Sequence, residues 1–327
     1  MTVKLSDKLF KKDLEQVPIR SGFGEGMMIL GKENPKVIAL CCDLTDSTKL
    51  GDFAKTYPDR YVEVGVAEQN LAGLGAGFAH EGFIPFITSY ATFSPGRNWD
   101  QIRVSICYSQ NNVKVIGSHA GISVGPDGAT HQAMEDIAIT RVLPNMTVLV
   151  PCDAIEARKA TIAAAKLNGP VYIRLAREKT AQFTTDATPF EIGKAYVYRE
   201  GRDVTIAAAG PQVYYALQAA NALKKEKIDC EVINVASVKP LDVETLVASV
   251  KKTQAIVTAE EHQVTGGVGS AVAEALARNF PVPQEFVGMP DHFGESGEQS
   301  ELIAKWGMDS KAIINAVKKV LKRKSQK

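Results

Sequence analysis

Short apolar runs that alternate with helical patterns are the feature that most restricts the fold of this chain. In its first half they lie at 36–42, 61–66, 84–88, 113–117, 146–150 and 171–175. Such short, largely apolar runs are typical of parallel strands buried on both faces of a sheet. A helical pattern over 67–78 and an alanine-rich segment over 152–167 lie between them. The alternation predicts a doubly wound α/β domain with a mainly parallel sheet.

A second alternation follows a segment without periodicity. Residues 178–192 gather Thr, Pro and Asp, so we place a linker there. Predicted strands then lie at 203–210, 230–237, 255–262 and 284–289, and predicted helices near 212–226, 242–251, 268–279 and 309–322. Because 327 residues exceed the usual size of one core, we predict two domains, 1–185 and a smaller doubly wound α/β domain at 186–327. The basic end of the chain, 318–327, is predicted to be a frayed, solvated helix tail.

Charge and composition exclude several classes of partner. The formal net charge is +1, which creates no field that would attract nucleic acid or a membrane surface. The five cysteines lack metal-type spacing, and several lie in apolar runs, which predicts reduced core residues in a cytoplasmic protein. No stretch approaches the ~18 apolar residues of a membrane-spanning helix. Small neutral or anionic ligands remain as candidates.

Polar residues follow the apolar runs of the first domain, where ligands bind in open α/β sheets. Asp43 and Ser47 follow the first run, and Arg177 follows the last. Glu68 stands where the second run turns into a helix, and its neighbours offer little polarity. Apolar surroundings favour a carboxyl group that holds a proton and can give it up. The alternative is an ordinary first-turn carboxylate, stabilised by the helix dipole.

A glycine-rich loop at 119–132 carries two histidines and an aspartate. His119 and His131 are either site residues or histidines with purely structural hydrogen bonds. The loop also contains the G-x-S-x-G pattern of a hydrolase nucleophile elbow, at 121–125. An elbow needs a helix directly after its serine, and the Gly-Pro-Asp-Gly sequence at 125–128 does not continue as one. The residues that follow Ser123 therefore argue against a serine hydrolase.

The other glycine clusters do not form a nucleotide-binding motif. There is no G-x-x-x-x-G-K-[ST] sequence, and the clusters at 21–26 and 73–77 lack the strand-then-helix placement of a dinucleotide site. Close helix packing explains them better. Segment 260–276 does run from a strand through glycines into a helix. It is either an anion site at the helix start or, as we favour, a place of tight packing.

Several longer motifs carry a family resemblance that spans essentially the whole chain. "RYVEVGVAEQN", "GFIPFITSYATF" and "GISVGPDGATHQAMEDIAITRVLPNMTVLVPCDA" closely resemble the pyrimidine-binding domain of transketolases. "GGVGSAVAEAL" and "GMPDHFGESG" resemble their C-terminal domain. The resemblance thus implies a pyrimidine-binding domain at 1–185 and a transketolase C-terminal domain at 186–327. The family's G-D-G motif with a downstream Asn is missing, so the chain resembles the second subunit of a split, two-chain transketolase.

The resemblance also implies the chemistry of the site. The family uses thiamine diphosphate, and Glu68 matches the glutamate that hydrogen-bonds the pyrimidine ring nitrogen and activates the cofactor. The implied residues are catalytic Glu68, His119 and His131, cofactor-binding Glu68, Asp43, Tyr90 and Phe93, and substrate-binding Arg20, Ser47, Asp127 and Arg177. Glu63 and the segment 94–99, with Gly96 where tyrosine is common, depart from the long single-chain enzymes.

The implied activity is transfer of a two-carbon ketol unit between sugar phosphates of the pentose phosphate pathway. It implies a partner subunit whose diphosphate-binding domain holds a divalent metal, Mg or Ca, with no metal ligand on this chain, and an α2β2 heterotetramer. The alternatives are the β-type half of a 2-oxoacid dehydrogenase, a fragment like deoxyxylulose-phosphate synthase, and a non-catalytic regulatory subunit. Intact Glu68, His119 and His131 argue against the last.

Overall fold

A computed structural model describes residues 3–326 and contains two main sheets of mostly parallel strands. The strands are β1 (Gln16–Pro18), β2 (Val37–Cys41), β3 (Tyr61–Glu63), β4 (Ile84–Tyr90), β5 (Lys114–Ser118), β6 (Thr147–Leu149), β7 (Val171–Arg174), β8 (Lys179–Ala181), β9 (Tyr196–Arg199), β10 (Val204–Ala208), β11 (Cys230–Asn234), β12 (Ser237–Lys239), β13 (Ile256–Gln263) and β14 (Gln284–Met289). The helices are α1 (Ile19–Glu33), α2 (Gly51–Thr56), α3 (Glu68–His80), α4 (Trp99–Gln101), α5 (Asp136–Arg141), α6 (Ala154–Lys166), α7 (Gln212–Lys225), α8 (Val243–Thr253), α9 (Val268–Asn279), α10 (Gln299–Lys305) and α11 (Ser310–Lys324). A π-helical segment, Ile102–Tyr108, continues α4.

The first sheet is doubly wound, as predicted. It has seven strands in the order β12-β6-β7-β5-β4-β2-β3, and every pair except β12 with β6 is parallel. Helices α1 and α6 cover one face with one apolar cluster, whereas α3 and the π-helical segment cover the other. A Cβ on Gly22 of α1 would lie 1.8 Å from the Ala154 carbonyl oxygen, so the first glycine cluster is explained by close helix packing.

The second sheet is smaller and is also wound on both faces. Its five strands have the order β14-β13-β10-β11-β9, with β9 the antiparallel member. Helices α7 and α11 pack on one face, while α8 and α9 contribute to the core on the other. The predicted fold class of two doubly wound α/β domains is confirmed. The boundary between 185 and 186 remains our proposal.

Three details differ from the sequence-based expectations. The predicted linker contains β8, which pairs with β1 in a two-stranded antiparallel sheet. Strand β12 comes from the second half of the chain, yet it pairs with β6 of the first sheet. The basic tail predicted at 318–327 is helical and largely solvated, but its predicted fraying was wrong as far as Lys324, whose ammonium group donates to the carbonyls of Asp203 and Thr253. Residue 327 lies outside the described residues.

Other composition-based expectations can be compared with the described residues. All five cysteines are buried and free, as predicted for core residues. Within residues 3–326 no helix combines the length and the apolar character needed to cross a bilayer. The cytoplasmic location stays a prediction.

Candidate active site at the carboxyl ends of the first sheet

Four aromatic rings cluster where β4 and β5 end. Tyr90, the last residue of β4, is paired in register with Ser118, so the next residue, His119, lies beside it. The Tyr90 and His119 rings are stacked with centroids 3.8 Å apart, and Phe93 stacks on Tyr90 at 6.2 Å. His131 meets Tyr90 and Phe93 edge-on at 6.1 and 5.3 Å. The register of the two parallel strands therefore places Tyr90 beside His119, and loop residues Phe93 and His131 complete a cluster of four residues predicted for one site.

His119 is held in one neutral state. Its backbone has a φ of +56°, in the left-handed region, and its Nδ1 shares a 2.9 Å hydrogen bond with Ser118 Oγ. Burial, together with the charges of Arg20 and Arg177, lowers the pKa of His119 to about 2. At neutral pH the ring therefore carries one N–H donor and one acceptor nitrogen.

Glu68 begins α3, and its side chain is 1% exposed. Its Oε2 accepts a 2.6 Å ion-paired hydrogen bond from Arg97 Nη1, whereas Oε1 has a weaker 3.4 Å contact from Ser89 Oγ. Asn98 donates to the Glu68 carbonyl, and the Arg97 guanidinium lies 4.8 Å from the Phe93 ring centroid. The expectation of apolar surroundings was wrong, because the 94–99 segment folds back over the start of α3 and brings polar groups with it.

The predicted substrate-binding residues form a second cluster beside the rings. Arg20, near the start of α1, donates to the carbonyls of Arg177 and Ser47. Arg177 donates to the Val124 carbonyl at 2.6 Å, and its Nη1 lies 3.6 Å from Asp127 Oδ1. Burial and the neighbouring Arg177 charge lower the pKa of Arg20. Two arginines whose charges act on one another suit an anionic ligand group.

Asp43 lies apart from both clusters. It follows β2 with a φ of +56°, is exposed, and donates its backbone N–H to Glu63 Oε1 at 2.7 Å. Glu63 also accepts from the Gly65 N–H and the Tyr61 hydroxyl, each at 2.9 Å. Burial opposes ionisation of Glu63, but the hydrogen bonds from Asp43 and Gly65 outweigh it and lower the pKa of this carboxyl group. The Asp43 side chain is thus the predicted site group for which the structure offers least support.

Two competing interpretations of the sequence can now be judged. Ser123, the serine of the elbow pattern, is buried in a 3-10 turn and does not stand between a strand and a helix. At the glycines before α9, the backbone N–H groups of Val268 and Gly269 donate to Glu260. Gly267 is tightly packed, since its Cβ would lie 2.1 Å from Glu260 Oε2. A side chain of the chain itself therefore fills the position that an anion would take.

The two halves of the chain match two domain families. Residues 15–182 match the family model described as transketolase, pyrimidine binding domain, and residues 193–313 match transketolase, C-terminal domain. The chain belongs to the transketolase family. Within this family it corresponds to the subunit of split transketolases that carries these two domains.

Similar transketolase chains have the same extent. A putative transketolase C-terminal section from Methanocaldococcus jannaschii is 40% identical over 93% of this chain and 96% of its own. A 6-deoxy-6-sulfo-D-fructose transketolase subunit from Clostridium sp. is 41% identical over 97% of this chain and 98% of its own. A solved structure described as a split gene transketolase, inactive beta4 tetramer, has 46% identity and a TM-score of 0.89, covering 94% of this chain and 99% of that one.

Two charged residues of this candidate site were missed from the sequence. Arg97 lies in a segment without periodicity, and only its departure from the long enzymes drew attention to it. Glu261 lies in a predicted strand of the second domain, yet its Oε1 accepts a hydrogen bond from the Ser123 N–H in the glycine-rich loop. Local patterns could not reveal that contact, because it depends on how the two domains pack.

Proposed function

We propose that this chain is one subunit of a thiamine diphosphate-dependent transketolase that transfers a two-carbon ketol unit from a ketose phosphate to an aldose phosphate. It acts with a partner chain that bears the diphosphate- and metal-binding domain. The observation that carries this proposal is the convergence of Glu68, the Tyr90–His119 stack and the Arg20–Arg177 pair at one end of the first sheet. In support, the Methanocaldococcus relative is named a C-terminal section and covers nearly the same length.

The residues present fit the pyrimidine half of thiamine diphosphate. A planar, nitrogen-containing ring needs a carboxyl group at its edge and aromatic surfaces on its faces, and Glu68 lies buried near the stacked rings of Tyr90 and Phe93. When bound, this cofactor would supply a carbon nucleophile for the ketose carbonyl. Glu68 would hold a proton at the ring nitrogen, and Oε1 is the oxygen with the weaker internal partner. Arg97 fixes the other oxygen.

The histidines and arginines divide the work on the sugar. His119, neutral at working pH, orients a substrate oxygen through one donor and one acceptor nitrogen, and its stacking on Tyr90 fixes the ring plane. His131, less buried, moves a proton to or from the sugar hydroxyl. Arg20 and Arg177 bind the substrate phosphate with Ser47, while Asp127 accepts from a sugar hydroxyl. The 6-sulfo group in the name of the Clostridium relative's substrate is also an anion, which is consistent with a cationic cluster at this place.

The test is reconstitution. The purified chain is assayed with thiamine diphosphate, Mg²⁺, xylulose 5-phosphate and ribose 5-phosphate, alone and mixed with a transketolase chain that carries the diphosphate-binding domain. We expect turnover only in the mixture, because one chain supplies only the pyrimidine side of the site. Robust turnover by the single chain would contradict the partner dependence. A stable, cofactor-loaded mixture without turnover on either sugar phosphate would contradict the transketolase activity and favour a non-catalytic subunit.

A further inference from the structure

The second domain lies directly against the glycine-rich loop of the site. Glu261 of β13 places its Oε1 2.5 Å from the Ser123 N–H, in a buried position. Beside it, Gly121 has a φ of +90°, and a Cβ there would lie 2.4 Å from the same carboxylate oxygen. The loop backbone can approach Glu261 this closely because Gly121 has no side chain.

A second set of contacts holds residues 125–132 of the glycine-rich loop. Gln132 donates to the Glu295 carbonyl at 2.8 Å. A Cβ on Gly128 would lie 2.6 Å from Ser296 Oγ, and one on Gly125 would lie 3.2 Å from the Gly297 carbonyl oxygen. The segment 295–297 of the second domain therefore packs against the loop at backbone distance.

The backbone and the side chain of Glu261 are both held by residues of the first domain. Arg174, at the end of β7, donates to the Glu261 carbonyl at 2.7 Å and to the Ala133 carbonyl at 3.2 Å. The same guanidinium forms a buried 2.8 Å ion pair with Asp136. Burial raises the pKa of Glu261, and the Arg174 charge and the Ser123 hydrogen bond only partly oppose it. The carboxyl group thus has a fixed backbone, and its Oε1 has the loop N–H as a partner.

The Ser123 contact leads directly to the cationic cluster. The residue after Ser123, Val124, accepts the hydrogen bond from Arg177 Nη1, and Asp127 of the same turn faces Arg177. His119, in contrast, is attached to the first sheet, because the next N–H, that of Ala120, donates to the Leu175 carbonyl. A displaced Ser123 would therefore move Arg177 and Asp127 more than His119.

We propose that Glu261 is a positioning residue: it sets the turn at 122–127 and thereby places Arg177 for the anionic end of the substrate and Asp127 for a sugar hydroxyl. The second domain then shapes substrate recognition without touching the substrate. The role in substrate recognition rests on the proposed function. The control of the loop by Glu261 does not depend on that function.

The test compares variants of two neighbouring buried glutamates. Glu261→Ala removes the acceptor, and Glu261→Gln keeps an oxygen that can accept a hydrogen bond from the Ser123 N–H. Glu261→Asp keeps the carboxylate, but its shorter side chain moves that group away from the loop. Glu260→Ala is the matched control, since Glu260 is equally buried and also binds backbone N–H groups, but at the start of α9. Glu261→Asp replaces the alanine variant if that one does not fold.

Two measurements separate this inference from the proposed function. Amide hydrogen exchange in the chain itself should rise by roughly tenfold or more at 122–127 in Glu261→Ala, and change little there in Glu260→Ala and Glu261→Gln. In the reconstituted complex, KM for ribose 5-phosphate should rise by roughly 10- to 100-fold in Glu261→Ala, with kcat within a few-fold and Glu261→Gln close to wild type. Unchanged exchange at 122–127 in both Glu261→Ala and Glu261→Asp would overturn the control of the loop. If the wild-type complex turns over and Glu261→Ala shows faster amide exchange at 122–127 but an unchanged KM, the role of Glu261 in substrate recognition is overturned.

Discussion

The carboxyl ends of the two main sheets form a natural comparison, since both belong to parallel, doubly wound strands. At the first sheet, Arg177 and Asp127 keep about a third of their side-chain surface exposed, at 28% and 31%. At the second sheet, Asn234 is buried and donates to Glu156 Oε1 at 2.7 Å and to the Tyr198 hydroxyl at 2.9 Å. The carboxyl end of the first sheet keeps polar groups available to a ligand. At the carboxyl end of the second sheet, the polar groups form hydrogen bonds within the protein.

The difference arises from what covers each end. The backbone of the second sheet's end hydrogen-bonds the first domain, since Gly210 donates to the Val150 carbonyl and Val150 donates to the Ala236 carbonyl. An unpaired buried polar group is costly, and the covered Asn234 amide nitrogen has two internal acceptors. Sheet topology therefore fixes where a ligand could bind, while the packing of neighbouring elements decides whether a site exists there.

The largest effect is expected at Glu68. In the reconstituted complex, Glu68→Gln keeps the shape of the side chain but cannot share a proton with a pyrimidine ring nitrogen. Exchange of the C2 proton of bound thiamine diphosphate should fall by ~10²–10⁴-fold, while fold and assembly are retained. Nuclear magnetic resonance with rapid quenching measures the exchange rate. If the cofactor-saturated variant exchanges at the wild-type rate, Glu68 is only a first-turn carboxylate and the proposed chemistry loses its central residue.

The next effect is expected at the cationic cluster. Arg177→Ala should raise KM for phosphorylated sugars by an amount equivalent to about 1.5–3 kcal/mol, because a charge-assisted contact is lost. Cofactor binding should be retained, and Arg20→Ala should act in the same direction but more mildly. Arg199→Ala, which removes a partly buried arginine of the second domain, is the control and should leave KM unchanged. An equal loss with unphosphorylated substrates would show that Arg177 and Arg20 have a structural role.

At the second sheet the expected effect is on stability and not on KM. Asn234→Ala removes the donor to Glu156, whose pKa is raised to about 7 by burial and by the charge of Asp153. The free energy of unfolding in urea should fall by about 1–3 kcal/mol. Asn279→Ala, at an exposed asparagine that bonds within its own helix, should change it by less than about 0.5 kcal/mol. A KM change in Asn234→Ala without a loss of stability would contradict the view that only the first sheet's carboxyl end contacts the substrate.

The smallest expected effect is the pH dependence due to His119. Its pKa is lowered to about 2 in the folded chain, whereas an unfolded histidine has a pKa near ~6.5. Below pH ~6.5 the unfolded chain therefore binds a proton that the folded chain does not, and the contribution of His119 to stability is lost as pH falls. Between pH 7 and 5.5 the wild type should lose about 1 kcal/mol more than His119→Gln in urea unfolding. Equal losses would mean that His119 takes up its proton over the same pH range in the folded and the unfolded chain.

Sequence patterns predicted the parts of this protein that depend on local order. The strands that became β2, β4, β10 and β13 each begin with a buried or largely apolar stretch, and these stretches allowed their prediction. Helix α9 was predicted with the bounds that the structure gives. Strand β12 was not predicted as a separate strand, because three residues carry no periodicity and its partner lies about 90 positions away in the chain.

The site was predicted unevenly for a related reason. His119 and Tyr90 could be named from motifs, and their contact follows from strand register. Arg97 and Glu261 reach the site from irregular or distant segments, so their roles appear only in three dimensions. Asp43 shows the opposite case, since its place after a strand and a family match both assigned it to the site, yet the structure leaves the residue exposed.

Strand β12 has a consequence for engineering chimeric enzymes. Because Ser237 and Lys239 complete the outer border of the first sheet beside β6, the two domains interlock and cannot be exchanged as independent modules. A fragment cut at residue 185 would expose the backbone of β6, a template for aggregation. A graft of a relative's C-terminal domain would succeed only if the donor's counterpart of β12 matched the host's β6. The design of a chimeric enzyme must therefore treat β6 and β12 as one matched pair.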